Sequence, residues 1–216
     1  MKRSPESFSV AAMLALTGGF LEAYTFLCRD GVFANAQTGN VALLAISLVN
    51  GEFLKAVRYL IPILAFVAGV SVAIWMCRRP PKSAAFGWRH GAVLLEILLV
   101  AAVGCIPAGR VGNMIANVMV SFVCAVQAES FRTVLGTPFA SIMCTANLRS
   151  ATEYLHQFFA DKEKTVLQKS LQYFGIDGIF LCGAALGAVA TKFCGTYAAL
   201  CGCLLLGLVF WQLKKE

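Results

Sequence analysis

The sequence predicts an all-α membrane protein with six transmembrane helices and two re-entrant half-helices, arranged as an inverted 3+3 repeat. Three observations carry that prediction. Of the 216 residues, 59% are hydrophobic and only 13% charged, and the mean hydropathy of +0.75 lies far above that of a water-soluble domain. Six stretches approach the roughly 20 apolar residues needed to cross a hydrocarbon core of about 30 Å. Finally, the basic residues gather in four clusters, which the tendency of short cytoplasmic loops to collect Lys and Arg places on one side.

The first span is 8–28, preceded by the cluster Lys2/Arg3. The segment runs to full span length and no polar domain follows it, so a cleaved signal peptide is not expected. The apolar stretch 38–49 is too short to cross, since its residues cover only about 18 Å as a helix. It reads as a half-helix that starts near the midplane, reached through an extended segment at 29–37. The second span is 58–77, and the cluster Arg78/Arg79/Lys82/Arg89 follows it. Both clusters fall on the cytoplasmic side only if the stretch between 8–28 and 58–77 does not cross.

The third and fourth spans are 91–108 and 112–131. The stretch 139–155, interrupted by Arg149 and Glu153, is the poorest crossing candidate and becomes the second half-helix, entering from the cytoplasmic face. That choice brings Lys162/Lys164/Lys169 to the cytoplasm. The spans 172–191 and 195–213 complete the bundle, with Lys214/Lys215 inside. The chain is one integral membrane domain in which 8–107 and 112–213 repeat the order span, half-helix, span, span with opposite orientation. At an offset of 107, Glu22 falls on Glu129, Thr38 on Thr145, Asn40 on Asn147 and Leu48 on Leu155.

The half-helix starts carry the candidate binding residues. A helix beginning inside the membrane presents free N–H groups and the positive end of its dipole. Thr38 and Thr145 are expected to cap these ends, Gly39 to allow close approach, and Asn40 and Asn147 to offer donors and acceptors. Two such ends facing each other would form a polar, anion-friendly pocket. The alternative is that these residues merely cap short helices and join the bundle by interhelical hydrogen bonds.

Glu22, Glu96, Glu129 and Asp177 lie within apolar spans, where a charge costs about 2.5–3.5 kcal/mol on insertion scales, so they are expected to face the interior. Glu22 and Glu129 are the leading candidates for carrying protons, with structural pairs Glu22–Arg29 and Glu129–Arg132 as the competing reading. Glu96 has no charged neighbour within a turn, which makes it the stronger candidate for a long-range partner or a protonated state, and with Asp177 it joins the candidate coupling acids. Asp177 lies one span from the second half-helix, and Gly183-x-x-x-Gly187 after it reads as a close-packing face.

The nine cysteines lack a C-x-x-C pair and are expected to be buried small hydrophobes. His90 and His156 lack metal spacing, and there is no nucleophile-elbow or phosphate-cradling motif. Neither an enzyme nor a cofactor is expected. The net charge of +7 is read as cytoplasmic loop charge rather than as a nucleic-acid surface.

The stretches "GGFLEAYTFL", "GVFANAQTGNVALL", "QAESFR" and "TANLRSATEYL" resemble the YoaK-type family of bacterial membrane proteins, a domain of unknown function, over nearly the whole chain. The resemblance places Glu22 on that family's Asp or Glu, Thr38-Gly39-Asn40 on its Thr/Ser-Gly-Asn and Gln127 on a Gln of its second half. Ala146 stands where the family has a Gly. It implies a membrane location and supplies no activity. The expectation is a small gradient-driven, proton-coupled transporter in the bacterial cytoplasmic membrane, both termini inside, partnered by the bilayer, a small anionic or zwitterionic solute and, as one assembly, a second copy. A passive channel and a non-transporting scaffold or accessory subunit are the alternatives.

Overall fold

The computed structural model describes residues 7–79, 87–134, 137–138 and 143–214. The expected clusters at Lys2/Arg3 and Lys82, and Lys215, lie outside these residues. The described chain is helical apart from a two-residue antiparallel pairing of β1 (Thr133–Val134) with β2 (Thr137–Pro138). In order, the helices are α1 (Phe8–Cys28), α2 (Gln37–Val49), α3 (Phe53–Arg78), α4 (Trp88–Cys105), α5 (Arg110–Ser130), α6 (Cys144–Asp161), α7 (Lys164–Cys194) and, after a 3-10 turn, α8 (Ala199–Lys214).

Among the described residues, five helical segments are long and apolar enough to cross a membrane, the last being the continuous run Lys164–Leu213. The shorter α2 has 13 residues. Large apolar side chains such as Leu64, Val67, Leu98, Leu181 and Leu204 face outward, as expected where the surroundings are lipid rather than water. Pro62 sits inside α3, a position tolerated in an apolar bundle where neighbours compensate the missing N–H.

Contacts fix the relative directions of the long helices. α1 and α7 run parallel, because a Cβ at Gly183 would meet Leu16 O and one at Gly187 would meet Phe20 O. α3 and α5 run parallel in the same manner, with Gly69 against the Phe122 carbonyl and Ala73 clustered with Val126. α8 is antiparallel to α1, since Gly202 lies on Leu21 while Val209 and Leu213 pack with Val10 and Leu14. α4 is antiparallel to α8, with Gly104 on Leu200 and His90 edge-on to Phe210. It is also antiparallel to α5, where Arg89 Nε donates to Ser130 O and Gly112 abuts Pro107.

The six long helices therefore alternate in direction along the chain. The run Lys164–Leu213 reverses at Gly195, whose φ of 55° suits glycine. One end of the bundle collects Arg78, Arg79, Arg89, Arg132, Lys162, Lys164 and Lys169, together with Trp75, Trp88 and Trp211. The main core joins α1, α4, α5 and α8 through Phe20, Leu21, Tyr24, Val100, Val103, Val120, Cys124 and Leu206.

Two sequence expectations need correction. α7 begins at Lys164 rather than at 172, because the polar turns "KTVLQKS" continue the helix beyond the apolar stretch. The nine cysteines are free but not uniformly buried: Cys124 is buried, whereas Cys77, Cys105, Cys182 and Cys194 are exposed, on helix faces directed away from the core.

Candidate functional site

The chain leaves α1 through Asp30 and Gly31, both with positive φ, and returns along α1 as an extended strip to the start of α2. Phe33 stacks on Phe26 with ring centroids 4.8 Å apart. The strip is held by the acid from α1. Glu22 Oε2 accepts from the Asn35 N–H at 2.8 Å and Glu22 Oε1 from the Ala36 N–H at 3.1 Å. Helix N-termini leave their first N–H groups unpaired and favour negative charge, so a carboxylate supplied by α1 satisfies the start of α2.

The expected cap, Thr38, does not act as one. The N-cap of α2 is Ala36, without a side-chain cap bond, and Thr38 is exposed. Asn40 is fully buried and folds back on the strip, its Nδ2 donating to Phe33 O at 2.6 Å and Gln37 Oε1 at 2.9 Å. Its Oδ1 accepts from Phe33 N–H at 3.3 Å. Gly39 matters because Phe33 lies over it, a Cβ there meeting the ring at 3.0 Å. Asn35 Nδ2 ties the strip to Gly18 O at 2.7 Å.

At α6 the corresponding threonine also fails to cap. The N-cap is Met143, again without a side-chain cap bond, and Thr145 and Ala146 are exposed. Asn147 is buried and its Nδ2 donates to Asp177 Oδ1 of α7 at 2.9 Å. Asp177 Oδ2 is buried with no hydrogen-bond partner among the described residues. Cys144, the first residue of α6, lies within range of the charges of both Asp177 and Glu22. The parallel register of α1 and α7, with Leu16 beside Gly183, sets Asp177 about 12 residues nearer the start of α1 than Glu22, roughly 18 Å of helix rise.

Glu129, which the sequence offset of 107 set opposite Glu22, is placed differently. It pairs with Arg132 at 3.3 Å, its side chain 22% exposed. The structure thus favours a structural pair for Glu129 and puts the second interior acid on α7. Glu22 does not pair with Arg29. Arg29 is fully buried and closes the end of α4, donating to Val103 O at 3.0 Å and Ile106 O at 2.9 Å. It also donates to Tyr24 Oη at 2.9 Å and Asn113 Oδ1 at 3.2 Å. A cation at a helix C-terminus complements the dipole, a role that its place between two apolar stretches did not reveal.

Glu96 lies at the centre of the bundle, fully buried, with neither oxygen hydrogen-bonded among the described residues. Gln127, also buried, joins α5 to α1 by donating to Leu14 O at 3.1 Å. The residues gathered at the starts of the two helices are therefore Glu22, Asn35 and Asn40 at α2, and Cys144, Asn147 and Asp177 at α6.

The family described as protein of unknown function (DUF1275) matches residues 10–211, which is the family that the YoaK-type resemblance implied. No curated protein and no solved structure matches the chain.

Proposed function

The chain belongs to the DUF1275 family, and we propose that it is a gradient-driven transporter coupling a proton to a small anionic or zwitterionic solute. In this reading the chain crosses the bacterial cytoplasmic membrane six times with both termini inside, and α2 and α6 enter from opposite faces. The alternating helix directions support it, as does the equivalence of the α1–α7 and α3–α5 contacts, each closed by glycine on a facing carbonyl. The basic end of the bundle is then cytoplasmic. The two inverted halves are 8–107 and 112–213.

The observation that carries the proposal is an interior acid at the start of each half-helix, Glu22 at α2 and Asp177 at α6, at different depths on parallel helices. Ionised, Glu22 occupies the Asn35 and Ala36 N–H groups that an anionic solute would need. A proton on Glu22 removes its charge and releases those donors and the helix dipole to the solute. Proton and anion then enter together and leave together, which is symport. Asp177 acts at α6 through a side chain instead, since a proton on it would release the Asn147 amide that it holds, and Glu96 supplies a further interior carboxyl. Thr38, Gly39, Thr145 and Ala146 flank the path, while Asn40 and Asn147 hold its walls.

The test is uptake into proteoliposomes enclosing a pH dye, driven by an imposed proton gradient, with a panel of small carboxylates and amino acids. Wild-type protein should accumulate at least one solute with proton influx. Glu22→Gln should retain solute exchange but lose gradient-driven accumulation. Unchanged proton-coupled uptake by Glu22→Gln would overturn the mechanism, and unsaturable flux without exchange would identify a channel. One observation favours a scaffold instead: Asn40 spends its side-chain groups within its own loop. A scaffold would show no solute flux at all.

A further inference from the structure

A second polar site lies away from the half-helix starts, at the end of the bundle opposite the basic one. There the turn after α1, the first turns of α3 and the first turns of α5 border a half-open pocket of about 360 Å³, at the small end of the range for ligand pockets. Its walls are of two kinds. Leu54, Val57 and Met114 supply apolar surface, and Asp30, Arg58, Arg110 and Asn117 supply the polar groups.

These polar groups are not spent on one another. Neither arginine forms an ion pair among the described residues. Asp30 Oδ1 accepts from Asn113 Nδ2 at 3.0 Å, which fixes the carboxylate at the rim. Asn117 is 1% exposed. Its Nδ2 donates to Arg29 O at 2.6 Å, so the orientation of the amide is set by a carbonyl that only the nitrogen can meet. That leaves Asn117 Oδ1 buried at the cavity wall without a partner. A buried acceptor left unpaired costs stability that a ligand donor would recover.

We infer that this cavity binds a small zwitterion with an apolar tail, an aliphatic amino acid being the simplest example. The carboxylate would lie between Arg58 and Arg110, where the guanidinium fork suits it, beside the first turn of α5, which has no side-chain cap. The ammonium would donate to Asn117 Oδ1 and Asp30, and the aliphatic chain would cover Leu54, Val57 and Met114. A plain carboxylate would leave Asn117 unpaired and meet the charge of Asp30. A plain amine would face two unpaired arginines. The inference does not rest on the transport reading, because no residue at the half-helix starts takes part.

The test is equilibrium binding of L-leucine to the purified full-length protein in detergent, beside 4-methylpentanoate, which lacks the amine, and 3-methylbutylamine, which lacks the carboxylate. Leucine should bind saturably and at least about tenfold more tightly than either analogue, as expected for losing a charge-assisted contact. Arg58→Gln and Arg110→Gln, each checked for an unchanged elution volume, should each weaken leucine about tenfold, and Lys192→Gln, an exposed residue outside the lining of this site, should not. Equal binding of the three wild-type probes, or none, would overturn the inference without recourse to any variant. Failure of proton-driven uptake would overturn the transport reading and leave this one standing.

Discussion

Replacing Gly183 by alanine tests the packing of α7 against α1. An added Cβ would lie 2.1 Å from Leu16 O, and the same change at Gly187 would put it 2.4 Å from Phe20 O. Ordinary contact is 3.4 Å or more, so α1 and α7 must separate by roughly 1 Å, since the obstacle is backbone and cannot rotate away. Overpacking of this kind costs about 1–3 kcal/mol. Gly178 lies on the same helix with nothing within 4 Å of its added Cβ, and alanine there should be neutral or gain up to about 1 kcal/mol of helix propensity. The assay is reversible unfolding in mixed micelles, followed by tryptophan fluorescence. Gly183→Ala should fall below wild type and Gly178→Ala should not. If the two variants agree within about 0.5 kcal/mol, the close approach of α1 and α7 is not what supports the bundle.

The remaining predictions use the same unfolding assay. Asn40→Ala should cost about 1–3 kcal/mol because it strips the 33–37 strip of buried bonds, whereas Thr38→Ala and Thr145→Ala should change stability by less than about 0.5 kcal/mol; a large loss at either threonine would restore it as a cap. Glu96→Leu should stabilise the protein in the dark of any gradient, since a buried carboxyl without partners is replaced by an apolar group of similar size, and a marked loss would reveal a partner for Glu96. Arg29→Lys keeps the charge but loses the planar fork that reaches Val103 O and Ile106 O, so a loss of about 2 kcal/mol or more is expected. An unchanged midpoint would show that charge alone closes α4.

Much of the fold was legible because hydropathy and loop charge are strong signals in a chain whose surroundings are apolar. The stretch 8–28 became α1 with the same bounds, and the short stretch 38–49 became α2 one residue earlier. The segment around 139–155 was legible only in part. Residues 139–142 lie outside those described, and α6 runs on to Asp161, where Lys162 adopts a left-handed conformation. The site was harder to read. Thr-Gly-Asn looks like a cap followed by a helix, but the acid that holds the start of α2 is Glu22, 16 residues upstream of Thr38 on another helix, and proximity across helices leaves no periodic trace. Glu129 matched Glu22 by repeat offset, yet Arg132 lies one turn away and local pairing prevails. Asp177 has no acidic equivalent in the first half, so internal similarity could not point to it. Arg29 was paired with Glu22 and Asn117 was passed over because the carbonyls they meet, Val103 O and Ile106 O for the first and Arg29 O for the second, carry no side-chain signature.

The most direct measurement of the central claim is the sidedness of the two hairpin tips. Glu52 lies between α2 and α3, Glu163 between α6 and α7, and both are exposed. Single cysteines at these positions, Glu52→Cys and Glu163→Cys in a background without the native nine, would be labelled in intact cells with a membrane-impermeant maleimide. The inverted arrangement predicts that position 52 is labelled from outside and position 163 only after the cells are opened. Labelling of both positions from the same side would contradict it, because α2 and α6 could then not enter from opposite faces.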